Sequence, residues 1–230
     1  MIRPVHKPYR YPYYLLTAYL LAVITTMAMA NKIISFGPVI LPAGIFIFPF
    51  SFLVNDIAAE AYGYSYPRLF IWLGLISTLI FSLYSITLSW THAPTYFTYS
   101  SAYKTVFDPT FRFFISTIVS LFVAEFINIF LLAKSKIRFQ GRFFILRSLG
   151  STAIAQAALS ISSDIVAFSG NTSGISHLIN MMLSGFLVKM AIAILAVFPS
   201  WLIVRYLIRK DAVDHYDINT RFTPFSLSIN

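Results

Sequence analysis

The sequence predicts an all-α integral membrane protein of six transmembrane helices with both termini in the cytoplasm. Three observations lead there. The 230-residue chain is 58% hydrophobic and only 11% charged, with a mean hydropathy of +0.75, which lies outside the range of soluble domains. Its apolar residues gather in runs near the roughly 20 residues that a membrane helix needs, so the length accommodates about six spans and no separate soluble domain. Lys and Arg, finally, concentrate on one side of those runs, which is how positive-inside topology is written.

The expected organisation is a cytoplasmic segment over residues 1–12, a six-helix domain over 13–209 and a cytoplasmic tail over 210–230. The first segment is basic and carries Pro4, Pro8 and Pro12. It has the charge of a secretory leader, but the apolar run that follows shows no clear small-residue cleavage site. Helix 1 is expected over residues 13–30, followed by a crossing loop at Gly37 and Pro38. Helix 2 is expected to begin near Pro42, since proline is tolerated in a first turn, and to bend at Pro49, which frees a carbonyl inside a helix. A turn over residues 63–67 leads to helix 3 over 68–89. The Tyr-, Thr- and Ser-rich connection over 90–108, with Trp90, Tyr96, Tyr99 and Tyr103, suits the membrane interface. Helix 4 follows Pro109 and ends near Ala133, helix 5 covers 143–168, and helix 6 covers 177–208 with a bend at Pro199.

Counting by side supports the orientation. Arg3, Lys7 and Arg10, then Arg68, then Lys134, Lys136, Arg138, Arg142 and Arg147, then Arg205, Arg209, Lys210 and Arg221 fall inside; only Lys32, Lys104 and Arg112 fall outside. The net charge of +9 is thus accounted for by topology and anionic headgroups rather than by nucleic acid. The absence of cysteine excludes disulfides, thiol catalysis and thiolate metal sites. The four histidines, His6, His92, His177 and His215, sit in loops or at span ends, so no mid-membrane Ser-His dyad or metal cluster is expected. With no Walker A or GxGxxG sequence, the chain reads as a non-enzyme without cofactor. Asn171-Thr172-Ser173 is a sequon by chance-level pattern only.

Polar groups inside the spans are the functional signal. Asp56, Glu125, Asp164 and Lys189 fall within them, with Asn55, Asn128 and Gln156. A charge at a helix centre costs roughly 2.5–3.5 kcal/mol on insertion scales, so each must face the interior, pair, or line a wet cavity. Asp56 and Glu60 stand at i and i+4, and Glu125 and Asn128 at i and i+3, each pair on one helical face. Asp56 and Lys189 fall at matched depth and admit two readings: a substrate site, or a buried ion pair that fixes helix register. Glu125 and Asn128 likewise read as ligand contacts or interhelical hydrogen bonds. Glu60 sits near enough to the cytoplasm to be solvated, and Asp164 near enough to the outside to be an interfacial carboxylate. Phe48, Phe50, Phe52 and Trp72 read first as packing or lipid-facing residues. Converging polar groups without reaction machinery point to solute binding or transport.

Several stretches resemble a known family: FPFSFLVNDIAAEAYGY, EFINIFLLAKSKIRFQGRFFILRSLGST, the lysine in FLVKM, and DAVDHYDINTRFTPF. They are similar to the queuosine precursor transporter family, also called the vitamin uptake transporter family, over residues 14–226. The resemblance implies a six-helix protein like the substrate-binding subunits of energy-coupling-factor vitamin transporters. It also implies import of 7-cyano-7-deazaguanine or a related 7-deazaguanine across a bacterial inner membrane. Its motif falls on Asn55, Asp56, Glu60, Asn128, Arg147, Ser151, Thr152, Gln156 and Lys189. Of these Glu60, Arg147, Ser151 and Thr152 read as gating or structural, and the rest, with Glu125, as substrate contacts. One position departs: Leu159-Ser160 stands where the family carries Asp-Thr. Two modes of action are open, a self-sufficient importer or the binding subunit of a complex with separate ATPases, for which helix 1 offers Ala18 and Ala22, then Ala28 and Ala30, as a small-residue docking face. A homo-oligomer is left open.

Overall fold

A computed structural model describes residues 9–37, 39–168, 175–218 and 220–226. The lead-in before Tyr9, the sequon at Asn171 and the side chains of Asp164 and His177 lie outside what is described. The described residues are mainly helical with one short hairpin, in the order α1 (Tyr11–Ala28), β1 (Ile33–Phe36), β2 (Val39–Pro42), a 3₁₀ turn (Ala43–Phe46), α2 (Phe48–Tyr62), α3 (Ser65–Ser89), α4 (Ser100–Phe107), α5 (Thr110–Val119), a π-helical segment (Ser120–Glu125), α6 (Phe126–Arg138), α7 (Phe144–Phe168) and α8 (Ile175–Asp211). Among the described residues five helical segments are long and apolar enough to cross a membrane: Tyr11–Ala28, Ala43–Tyr62, Ser65–Ser89, Ser100–Arg138 and Met182–Asp211. α7, the remaining expected span, is a helix of 25 residues packed between α6 and α8, with polar side chains along its buried face.

α2 is the axis of the bundle. It packs against α1, α3, α6 and α8, so nearly every residue from Phe48 to Tyr62 is buried. The outer helices keep apolar residues on both faces, since lipid replaces water on the outside. In α1 Tyr19, Val23 and Met27 turn inward while Tyr13, Tyr14 and Leu21 face out. Close approaches use glycine: a Cβ on Gly74 of α3 would stand 2.8 Å from the Tyr19 ring, and one on Gly44 would stand 2.6 Å from the Thr26 carbonyl.

Two expectations near α2 are corrected. The crossing loop is an antiparallel hairpin, with Ile33 opposite Pro42 and Ser35 opposite Ile40, turning at Gly37 with φ +60. Pro42 ends β2 and caps the 3₁₀ turn that opens the Ala43–Tyr62 span, so the helical segment begins where expected. Pro49 does not bend α2 but lies in its first turn, where its missing N–H breaks no helical bond. Further along, the interfacial connection contains the short helix α4. The fourth span is likewise interrupted by the π segment, which widens the helix just before Glu125.

Beyond α8 the chain folds back across the ends of α2, α3 and α6. Tyr62 Oη donates to Asp211 at 2.7 Å, and the backbone N–H of Tyr64 donates to Asp217 at 2.9 Å. Arg68 donates to the Thr223 carbonyl at 3.3 Å, and the Trp72 indole donates to the Pro224 carbonyl at 2.6 Å. Phe222 packs edge-on against Tyr64 and Phe130. Gly63, at φ +86 between α2 and α3, leaves the space that His215 fills.

Candidate functional site

The polar residues of α2 form three successive layers, two with α6 and α7 and one with α1 and the π segment. At the α2 C-terminus, Glu60 takes both Arg147 amino groups, at 2.7 and 3.0 Å. Arg147 also donates from Nε to the Arg142 carbonyl at 2.8 Å, so the guanidinium is locked in place. Glu60, expected to be solvated, is only 4% exposed, because the folded-back C-terminal segment covers it. One turn further in, Asp56 accepts from Asn128 Nδ2 at 2.5 Å and from Ser148 Oγ. Asn128 Oδ1 in turn accepts from Thr152 Oγ1 at 3.5 Å. Ser151, beside it, is buried and returns its hydroxyl to the Ser148 carbonyl.

The third layer centres on Glu125, which the π segment delivers to the bundle interior. It accepts from Ser51 Oγ at 2.6 Å, Tyr19 Oη at 2.7 Å and Asn55 Nδ2 at 2.8 Å. Glu125, Asn55 and Asp56 are all essentially inaccessible. Both carboxylates are thus held by neutral donors from neighbouring helices, which orients them while sparing each the cost of an unmet buried acceptor.

Other groups in the same region are not satisfied within the protein. Gln156 is fully buried, yet neither its Nε2 nor its Oε1 has a partner, and Asn55 Oδ1 also lacks one. Leaving a buried polar group unmet costs roughly 1–3 kcal/mol, so such groups call for a ligand or water. Gln156 belongs to a row on α7, Ser148, Thr152, Gln156 and Ser160, spaced by four and buried throughout. Lys189 of α8 donates to the last of these, Ser160 Oγ, at 3.3 Å.

The pairing of Asp56 with Lys189 allowed by depth is not formed: Asp56 turns to α6 and α7, and no ion pair joins it to Lys189. Equal depth sets height along the bundle but not the direction a side chain points. Glu125 is not the partner of Lys189 either, since it faces α1 and α2. Sequence reasoning missed Tyr19, Ser51, Ser148 and Lys136. The four-residue spacing of Ser51 with Asn55, and of Ser148 with Thr152 and Gln156, was a readable signal. Tyr19 had none among 14 tyrosines. Lys136, counted only as an inner basic residue, is buried and donates to the Glu60 carbonyl at 2.6 Å.

Against known proteins, a family model described as "Putative vitamin uptake transporter" matches residues 42–204. The chain belongs to this family. The matched segment runs from the last residue of β2 into the C-terminal half of α8 and so contains Asn55, Asp56, Glu60, Glu125, Asn128, Arg147, Gln156 and Lys189. Membership and the apolar helices make the chain a multi-pass membrane protein of a transporter family. No curated protein and no solved structure matches it.

Proposed function

We propose that this vitamin uptake transporter family member imports a 7-deazaguanine precursor of queuosine, such as 7-cyano-7-deazaguanine, across the bacterial inner membrane. In this reading it acts without ATPase subunits, as a six-span protein with both termini in the cytoplasm. The observation that carries the reading is the unpartnered Gln156 amide. A carboxamide presents a donor and an acceptor side by side, which complements a lactam edge, the adjacent N–H and C=O of a guanine-like ring. Asn55 Oδ1 supplies a further acceptor for ring or exocyclic N–H groups, and Lys189 a cationic donor. Leu159, buried in the core where the resemblance expects a carboxylate, leaves that N–H edge to Asn55.

The alternative, a binding subunit for separate ATPases, calls for a small-residue face on α1. Ala18 is exposed, but Ala22 lies in the core at 7% exposure, so the two do not form one outer face. Uptake by the purified chain alone in liposomes separates these modes.

The test of the ligand is a thermal-shift series with 7-cyano-7-deazaguanine, 7-aminomethyl-7-deazaguanine, queuine and guanine. A ligand at 100 times its Kd stabilises the folded state by about 2.7 kcal/mol. We expect a shift with at least one deazaguanine that Gln156→Leu removes without lowering the melting temperature of the ligand-free protein. No shift with any of the four, or an equal shift in Gln156→Leu, refutes the reading.

A further inference from the structure

Glu60 and Arg147 stand in the last turn of α2 and the first turn of α7, where helix-end residues ordinarily meet solvent. They are nevertheless 4% and 5% exposed. The cover is the C-terminal segment that leaves α8. Lys136, at the end of α6, divides its three donors among the Glu60 carbonyl at 2.6 Å, the Asp214 carboxylate at 2.6 Å and the His215 carbonyl at 2.8 Å. Its ammonium lies 4.5 Å over the Tyr216 ring. The Tyr216 hydroxyl comes so close to Gly141 that a Cβ there would be 2.4 Å away. Gly141 in turn accepts from Arg147 at 3.3 Å. Burial and the nearby Asp214 and Glu60 carboxylates push the Tyr216 phenol above its ordinary value, as expected of a ring seated against that pair.

We propose that this strap, residues 213–218 and 220–224, is the inner gate of the transporter, latched by Lys136 and lifted to open the route past Glu60 and Arg147. Anything moving inward from the Asp56, Asn128 and Ser148 layer meets the Glu60–Arg147 layer next, and the strap lies over it. The latch is suited to opening. Asp214 is half-exposed while Lys136 is buried, so the pair opens by releasing the carboxylate to water while the ammonium keeps the Glu60 carbonyl. The strap meets α2 in its last turn and runs along α3 and α6 as far as Trp72 and Phe130, so lifting it releases side chains laid over these helices rather than the contacts between them. The proposal relies on the transport reading for its meaning but not on any particular substrate.

The test exploits the absence of cysteine. Ser151→Cys places one thiol on α7, one turn beyond Arg147 and buried at 4% exposure. Its reaction with a membrane-impermeant maleimide, applied from the strap side to vesicles, reports opening. Asp214→Lys sets a second cation against Lys136. We expect it to raise Ser151→Cys labelling at least about tenfold, while Thr78→Cys, buried mid-helix in α3, stays unreactive in the same background. Labelling of Ser151→Cys that is unchanged by Asp214→Lys makes the strap a static clasp and overturns the proposal. Equal exposure of Thr78→Cys shows the helices separating and overturns it too. Neither outcome depends on the deazaguanine assignment, which stands or falls on the thermal-shift series.

Discussion

Removing Arg147 should damage the fold more than its position at a helix end suggests. Its guanidinium makes two bonds to Glu60 and one each to the Arg142 and Gly141 carbonyls, in a layer 4–5% exposed. Arg147→Met leaves the Glu60 carboxylate buried without its cation. Breaking a buried pair in this way costs about 3–5 kcal/mol, whereas replacing both partners by apolar groups is often close to neutral. For a chain of this size each kcal/mol moves the melting temperature by about 2–4 °C, so the single variant should lose about 6–20 °C. Glu60→Met should lose a comparable amount by stranding Arg147. The double variant Glu60→Met with Arg147→Met should recover more than half of either loss. Melting curves of the four purified proteins in one detergent decide it. Strictly additive losses would show that the two residues act separately and would refute the argument from burial. Because Arg147 contacts Glu60 and two carbonyls, we further expect Arg147→Ala to impair uptake with ligand affinity largely kept. Equal loss of both would make Arg147 a ligand contact.

Two further outcomes follow from the geometry and a third from the charge distribution. Tyr19→Phe removes one of three donors to Glu125 while keeping the ring against Gly74; a bond to a charged group is worth about 1.5–3 kcal/mol, and an unchanged melting temperature would show that Glu125 does not depend on it. Asp56→Ala strands Asn128 Nδ2 and the Ser148 hydroxyl and should be strongly destabilising, but its effect should add to that of Lys189→Met within about 0.5 kcal/mol because the two share no partner; a large coupling energy would restore the ion pair. Reporters fused after residue 140 and at the C-terminus should both read cytoplasm, as the Lys and Arg distribution expects, and an external signal at either site would overturn the orientation.

What the sequence by itself determined were properties set by transfer from water and by helical period. Runs of apolar residues place the helices because an unbonded backbone cannot lie in lipid. Spacings of three and four put Asp56 with Glu60, and Glu125 with Asn128, on shared faces. The family was legible too, because its motif lies in contiguous stretches. Only the tertiary structure decided which way each helix turns. That rotation gives Glu125 to Tyr19, Ser51 and Asn55, gives Asp56 to Asn128 and Ser148, and sends Lys189 to Ser160. No spacing within one helix encodes the azimuth of another, so matched depth left open whether Asp56 and Lys189 pair. The burial of Glu60 is tertiary in the same sense. Its neighbours in sequence place it near the surface, and it is covered by Lys136, which the packing of α6 brings to it, and by Tyr216, which arrives when the C-terminal strap folds back.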